Sequence, residues 1–170
     1  MRPLRVLLLA TIVTLTGGLR PAAAGGGFQC TSVHDVDLAP GLSIHPSSGT
    51  VSAPTGTIEC RGTVNGHTPT GAGPYSEEAR YGTRDPDTCQ DGGEGEGRFS
   101  FTLPTTGGDQ QVARSFTFTY GELSTRGGVV SGSFEGEGVT GTLEVTPLEG
   151  DCVTEPITRI RVEAAFFFSE

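Results

Sequence analysis

The sequence contains no lysine: all eleven basic residues are arginine, against twenty acidic residues, which gives a formal net charge of −9. Without lysine there is no Walker-type phosphate loop, and no G-x-G-x-x-G motif stands between a predicted strand and a predicted helix. The glycine-rich segment Gly93–Gly97 carries acidic residues, which would repel phosphate. These absences exclude nucleotide binding.

The sequence also lacks an apolar run long enough to anchor it in a membrane. The apolar stretch from Val6 to Leu15 is about ten residues long, whereas a membrane-spanning helix needs about 20. Arginines precede this stretch, and Ala22-Ala23-Ala24 after it supplies an A-x-A cleavage site. We therefore expect residues 1–24 to be a signal peptide, and residues 25–170 to form a single all-β domain that is secreted to the extracellular space without a membrane anchor.

The predicted mature chain is strongly acidic. It keeps eight arginines against twenty acids, a net charge of −12. Such a surface repels the phosphates of nucleic acids and of anionic lipids. We expect no nucleic-acid partner and a monomeric protein, and the sequence identifies no other partner.

No C-x-x-C pair is present, which argues against a zinc site. All four cysteines, Cys30, Cys60, Cys89 and Cys152, lie in the predicted mature chain, and an even number in an oxidising compartment indicates disulfides. Three pairings are possible. We favour Cys30–Cys60 with Cys89–Cys152, because each bond then joins strand ends to nearby loops without interlacing.

Helical periodicity is almost absent, and apolar residues recur instead at every second position, which is the pattern of half-buried strands. The pattern places Phe99, Phe101 and Leu103 on one face, and it repeats in the later segments. The clearest strand candidates are Arg98–Leu103, Gln110–Tyr120, Val129–Glu137, Val139–Thr146 and Ile157–Phe168.

The first half of the chain is less regular. Its strand candidates are Gly27–Val33, Leu42–His45, Thr57–Val64 and Glu77–Tyr81, and Asn65-Gly66 is a tight-turn signal. About eight or nine short strands with near-adjacent connections predict a disulfide-stabilised antiparallel β-sandwich or closed β-barrel.

A calcium site is the one cofactor hypothesis that the sequence raises. Asp85, Asp87, Asp91 and Glu96 follow the spacing of an EF-hand loop, and clustered carboxylates suit Ca²⁺. However, Cys89 occupies the third ligand position and no helices flank the segment. A solvated acidic loop beside a disulfide is the alternative interpretation.

A possible ligand surface comprises His34, Asp35, Asp37 and Phe167. The histidine and the two acids could supply a general base or a metal site if folding brought them together. Phe167 follows Phe166 in a strand and must face the other side of the sheet, where it is either covered by a loop or exposed as a binding patch. No G-x-S-x-G elbow is present, and we assign no catalytic residue.

Three segments carry a resemblance to a known group of proteins: Gly62–Gly66, Phe116–Tyr120, and Val145-Thr146-Pro147 followed by Gly150–Pro156. In these segments the chain resembles small secreted β-rich proteins of actinobacteria whose function is uncharacterised. The resemblance covers most of residues 56 to 165. It implies a secreted location and the order of the strands, and it brings no activity and no catalytic residues.

The sequence favours a non-enzymatic extracellular binding or interaction module. One alternative is an enzyme with its site in a barrel mouth, using His34, Asp35, Asp37 or the acids between Asp85 and Glu96. Another is a secreted inhibitor or a carrier of small ligands. An inhibitor predicts a protruding rigid loop, and a carrier predicts an apolar cavity.

Overall fold

The computed structural model describes residues 27–123 and 129–169. The predicted signal peptide, residues 1–24, lies outside the described residues. Eight strands are present: β1 Phe28–Leu42, β2 Gly49–Gly62, β3 Gly73–Tyr81, β4 Gly93–Leu103, β5 Gln110–Tyr120, β6 Val130–Gly136, β7 Val139–Glu149 and β8 Ile157–Phe168. Among the described residues, no helix has the length and apolarity needed to span a bilayer.

The strands form a closed barrel in which each strand pairs antiparallel with the next. The last strand, β8, returns to pair with β1, from Phe28 opposite Phe168 to Leu42 opposite Ile157. The all-β prediction is therefore confirmed, and of its two architectures the barrel is correct and the β-sandwich is wrong. Every connection joins neighbouring strands, as short loops favour.

Side chains alternate between the barrel interior and the outer face, as the period of two predicts. In β8 the interior positions continue as far as Phe168, while Phe167 between them faces outward and is 46% exposed. The strand faces predicted for β4 to β8 are confirmed. The buried interior includes Val36, Leu38, Phe99, Phe101, Val112, Phe116, Phe134, Val145, Ile160, Ala164 and Phe166.

The first strands are longer than their sequence pattern indicates. Thus β1 runs on through Asp35 and Asp37 to Leu42, because these acids occupy outward positions of one continuous strand. The predicted strand Leu42–His45 is wrong, since β1 ends at Leu42 and the chain then turns towards β2. The pairing of β1 with β2 shifts after Val33, with one extra residue on β2, and the alternation of buried and exposed residues in β2 is interrupted between Ala53 and Ile58.

Both predicted disulfides are present. Cys30 and Cys60 lie directly opposite each other on β1 and β2, with Cα atoms 4.0 Å apart. Cys89 and Cys152 join the β3–β4 connection to the β7–β8 connection, with Cα atoms 6.0 Å apart. One bond therefore fastens two paired strands, and the other fastens two loops at the opposite end of the barrel.

The two ends of the barrel are closed differently. At the end where β1 begins, which we call the aromatic end, the rings of Phe28 and Phe168 stack with centroids 4.2 Å apart. Phe101 packs edge-on against Phe168 in the same group. At the other end, which we call the loop-covered end, the connections that carry Cys89 and Cys152 lie over the interior.

Two interior glycines make room for aromatic rings. Gly95 lies opposite Phe118, and Gly141 lies opposite Phe134, across paired strands. A methyl group added to either glycine would collide with the facing ring, because each ring lies across the bare backbone. Glycine in these strands therefore determines where the large side chains fit.

Candidate functional site

The half of the barrel next to the loop-covered end contains a cavity of about 60 Å³. Its wall is apolar apart from Glu77 and three tyrosines. The wall residues are Leu38, Leu42, Val51, Tyr75, Glu77, Tyr81, Phe99, Phe116, Phe118, Tyr120, Leu123, Phe134, Leu143, Val145, Ile160, Val162, Ala164 and Phe166. All eight strands of the barrel contribute to this list, so the fold as a whole shapes the cavity.

Backbone hydrogen bonds hold the loops over this cavity. The amide of Leu123 donates to the carbonyl of Cys89 at 2.7 Å, and the buried Leu123 side chain forms part of the cavity wall. The amide of Cys89 donates to Ser43, and the amide of Ile44 donates to Cys152. Four connections thus meet around the Cys89–Cys152 disulfide.

The β7–β8 connection is shaped by Asp151. Its carboxylate accepts hydrogen bonds from the amides of Val153, Thr154 and Glu155 and from the Thr154 hydroxyl. These hydrogen bonds, led by that of the Thr154 side chain, lower the pKa of Asp151 to about 2. The segment Gly150–Pro156, one of those that carry the resemblance, therefore has a structural role in presenting Cys152 to its partner.

A cluster of polar side chains stands inside the barrel beside the cavity, formed by Ser32, His34, Tyr75 and Glu77. The Tyr75 hydroxyl donates a hydrogen bond to Glu77 Oε2 at 2.6 Å. His34 Nε2 lies 3.5 Å from the same oxygen, and the His34 side chain is completely buried. The Ser32 hydroxyl and His34 Nδ1 are 3.3 Å apart. The arrangement puts one carboxylate at the cavity wall with a histidine behind it.

Burial and the neighbouring carboxylate both act on Tyr75. Its side chain packs against the His34 ring, with centroids 4.8 Å apart, and loss of water raises the pKa of Tyr75 well above its usual value. The negative charge of Glu77 raises it further. Tyr75 is therefore a protonated hydrogen-bond donor at neutral pH.

A second polar group closes the loop-covered end. Asp87 is buried and accepts hydrogen bonds from the Gly82 amide at 3.0 Å and the Tyr120 hydroxyl at 2.9 Å. Burial raises the pKa of Asp87, and the carboxylate in turn raises the pKa of Tyr120, whose own burial is the larger cause. Tyr81 donates its hydroxyl to the carbonyl of Pro40. These contacts fix the two tyrosines at the cavity wall.

The structure separates the members of the predicted ligand surface. The completely buried side chain of His34 faces the interior, although the residue also borders the shallow groove that Asp35 and Asp37 line on the outer face with Arg159 and Arg161. Asp35 accepts hydrogen bonds from Arg161 Nε at 2.9 Å and Arg159 Nη2 at 3.2 Å. The hydrogen bond from Arg161 is the main cause of the lowered pKa of Asp35. Its carboxylate is thus occupied by cations of the same chain.

Phe167 lies apart from this groove. It pairs with Gln29 near the aromatic end, whereas Asp35 pairs with Arg161 farther along β8. The alternative in which a loop covers Phe167 is wrong, since the ring is 46% exposed. A single exposed ring of this kind does not define a binding patch.

The predicted calcium ligands are not brought together either. Asp87 points inward, while Asp85 and Asp91 are exposed in the loop, where Asp91 accepts a hydrogen bond from Thr88. Glu96 lies on the outer face of β4. Within residues 27–123 and 129–169, no group of three or more histidine, cysteine, aspartate or glutamate side chains is placed to hold a metal ion. The acids of this segment belong to three separate environments.

Sequence reasoning singled out His34 but missed Glu77 and Tyr75. A sequence signal for them was present. Every second residue of β3 faces inward, namely Tyr75, Glu77, Ala79 and Tyr81. The strand predicted there began at Glu77, so the preceding tyrosine of the same face was left out. The enzyme hypothesis named His34, Asp35, Asp37 and the acids from Asp85 to Glu96, and only His34 and Asp87 of these point into the barrel.

Similarity to known proteins gives no evidence on the function of this chain. No family model, no curated protein and no solved structure matches this chain.

Proposed function

We propose that this protein is a small-ligand-binding module that holds a small, largely apolar molecule inside the barrel, next to its loop-covered end. The observation that carries the proposal is the cavity of about 60 Å³ with a nearly all-apolar wall. Barrels of eight strands have an interior just wide enough to be filled by side chains or to hold one small ligand. Here the aromatic end is filled by side chains and the other half is not.

An unfilled cavity has a cost in stability. At about 24 cal/mol per Å³ of cavity, 60 Å³ corresponds to about 1.4 kcal/mol, a substantial fraction of the stability of a small domain. One added methylene from a wall residue would remove part of that cost. A cavity retained beside a partly buried carboxylate is the arrangement expected of a binding site.

The cavity wall has room to adapt to a ligand. A dry cavity of about 150 Å³ in another protein takes up benzene or xenon. The present cavity is smaller, but Phe118, Tyr120, Leu143 and Val162 on one side of its wall are only half-buried. Because these side chains have solvent on one side, they can shift outward, and a ligand with one small ring fits after such a shift.

The proposed function includes a location outside the cell. Two disulfides are consistent with an oxidising, extracellular environment. With the predicted signal peptide and the resemblance to secreted actinobacterial proteins, they support a monomeric carrier or sensor that works outside the cell. Mass spectrometry of protein from culture medium tests this, because we expect a chain that begins at Gly25 and has no free thiol.

Two neighbouring alanines allow a matched test of the cavity. Ala164 faces the cavity and Ala165 faces outward on the same strand. We expect xenon and methylcyclopentane to shift the amide NMR signals of wall residues such as Val145. Ala164→Val should fill the cavity and abolish these shifts, whereas Ala165→Val should leave them unchanged. The proposal fails if neither probe perturbs the wall, or if both variants behave alike.

A further inference from the structure

We propose that the ligand of the cavity carries an ammonium group, so that the protein binds small apolar amines through Glu77. This inference rests on the proposed function and adds the chemical class of the ligand. The observation behind it is a carboxylate set into an otherwise apolar and aromatic wall. A carboxylate in such surroundings is costly unless charged or hydrogen-bonding groups compensate it.

The chain compensates only one side of this carboxylate. Tyr75 donates to Glu77 Oε2, and His34 Nε2 faces that same oxygen at 3.5 Å. Glu77 Oε1 accepts no hydrogen bond from any part of the chain that the structure describes. Since Glu77 lines the cavity, the free acceptor positions of its carboxylate are available to a ligand that donates hydrogen bonds.

His34 does not take the place of that ligand. Its Nε2 is completely buried and forms no hydrogen bond within the described residues. The Ser32 hydroxyl can donate to Nδ1, which leaves the proton on Nε2, on the side of Glu77. His34 therefore stands behind the carboxylate without a hydrogen bond to it, and the cavity side of the carboxylate keeps its negative potential.

The rest of the wall favours a cation over an anion. The other titratable groups that face the cavity are Tyr75, Tyr81 and Tyr120, and the wall as described contains no arginine or histidine. An anionic ligand would meet the charge of Glu77 without a compensating cation. A ligand ammonium would be attracted both by this charge and by the faces of the surrounding aromatic rings.

The dimensions of the site limit the amine to a small one. Phe99, Phe116 and Phe166 pack against one another behind the cavity, with ring centroids 5.2 to 5.7 Å apart. Only the half-buried side of the wall can give way. We therefore infer a primary amine on one small aliphatic or aromatic ring, with its nitrogen at Glu77 and its ring towards Leu143 and Val162.

Ligands of one shape and different charge test this inference. We choose methylcyclopentane, cyclopentylamine and cyclopentanecarboxylate, whose dissociation constants can be measured by NMR titration at neutral pH. Cyclopentylamine should bind about tenfold more tightly than methylcyclopentane, the ratio expected from one hydrogen bond between charged groups. Cyclopentanecarboxylate should bind more weakly than both.

Two neighbouring glutamates supply the matched variants. Glu77→Gln keeps an acceptor for Tyr75 but removes the charge, and it should abolish the preference for cyclopentylamine over methylcyclopentane. Glu78→Gln, on the outer face of the same strand, should keep the preference. The inference is overturned if the amine binds no more tightly than methylcyclopentane, or if its advantage survives in Glu77→Gln. If methylcyclopentane itself does not bind, the proposed function fails as well, and the two failures are thereby distinguished.

Discussion

Replacement of Cys89 and Cys152 by alanine removes the disulfide that fastens two loops over the cavity. The bond closes a loop with a sequence separation of 63 residues, and chain entropy alone then predicts a loss of about 4.3 kcal/mol in the free energy of unfolding. For Cys30–Cys60, with a separation of 30, the same relation gives about 3.6 kcal/mol. Urea unfolding of the two double-alanine variants measures both values.

The two variants should differ more in ligand binding than in stability. Cys30 and Cys60 are flanked by paired residues of β1 and β2 on both sides, so the ladder keeps the two strands in register without the bond. The loops that carry Cys89 and Cys152 are joined to the barrel by a few backbone hydrogen bonds. We expect the affinity for methylcyclopentane to fall only when Cys89–Cys152 is removed. Equal affinities of the two variants for methylcyclopentane would refute this reasoning. So would a decrease of less than about 1 kcal/mol in the free energy of unfolding on removal of Cys89–Cys152.

Three further predictions concern single positions. Gly141→Ala should lower the free energy of unfolding by about 1 to 3 kcal/mol in urea unfolding, because its methyl group meets a packed ring. Gly71→Ala, whose methyl group would only make an ordinary contact with Pro104, should change it by less than about 0.5 kcal/mol. The pKa of the Asp35 carboxyl, measured by NMR titration, should lie below 3.8 and should return towards 3.8 in Arg161→Gln. The contribution of ionised Asp35 to stability is present above pH 3.8 and is lost as pH falls through the lowered pKa. Asp87 has a raised pKa, so its ionisation should reduce stability as pH rises from 3.8 through that pKa, and thermal unfolding of Asp87→Asn should lack this decline.

Much of the fold could be predicted because exterior and interior residues alternate over most of β4, β5 and β8. In these strands most buried positions are phenylalanine, valine, leucine or isoleucine, and mostly threonine, serine, arginine or glutamate lies between them. The tight turn at Asn65-Gly66 is confirmed, with positive φ at both residues. The predicted pairing of the cysteines is confirmed, although Cys30–Cys60 joins two paired strands and Cys89–Cys152 joins two loops, rather than strand ends to loops.

Closure of the barrel and the position of the polar cluster could not be predicted from one sequence. Contact between β1 and β8 joins residues more than a hundred positions apart, and no local pattern specifies it. Glu77 and His34 are polar residues on inward faces, which departs from the binary pattern used to recognise a core. Their inward position follows from the strands around them, and such departures are where function is expected.

The continuous ladder also bears on whether this glycine-rich chain can aggregate through its backbone. A strand at the edge of an open sheet has unpaired backbone N–H and C=O groups, which can pair with a strand of another molecule. Such pairing is a common start of fibril growth. Because β1 pairs with β8, the barrel has no such edge strand along most of its circumference. One exception is the first half of β5, before Phe116, where pairing with β6 has not begun. Two glutamines and Arg114 occupy that short stretch, and the charge of the arginine discourages a second molecule from adding a strand there.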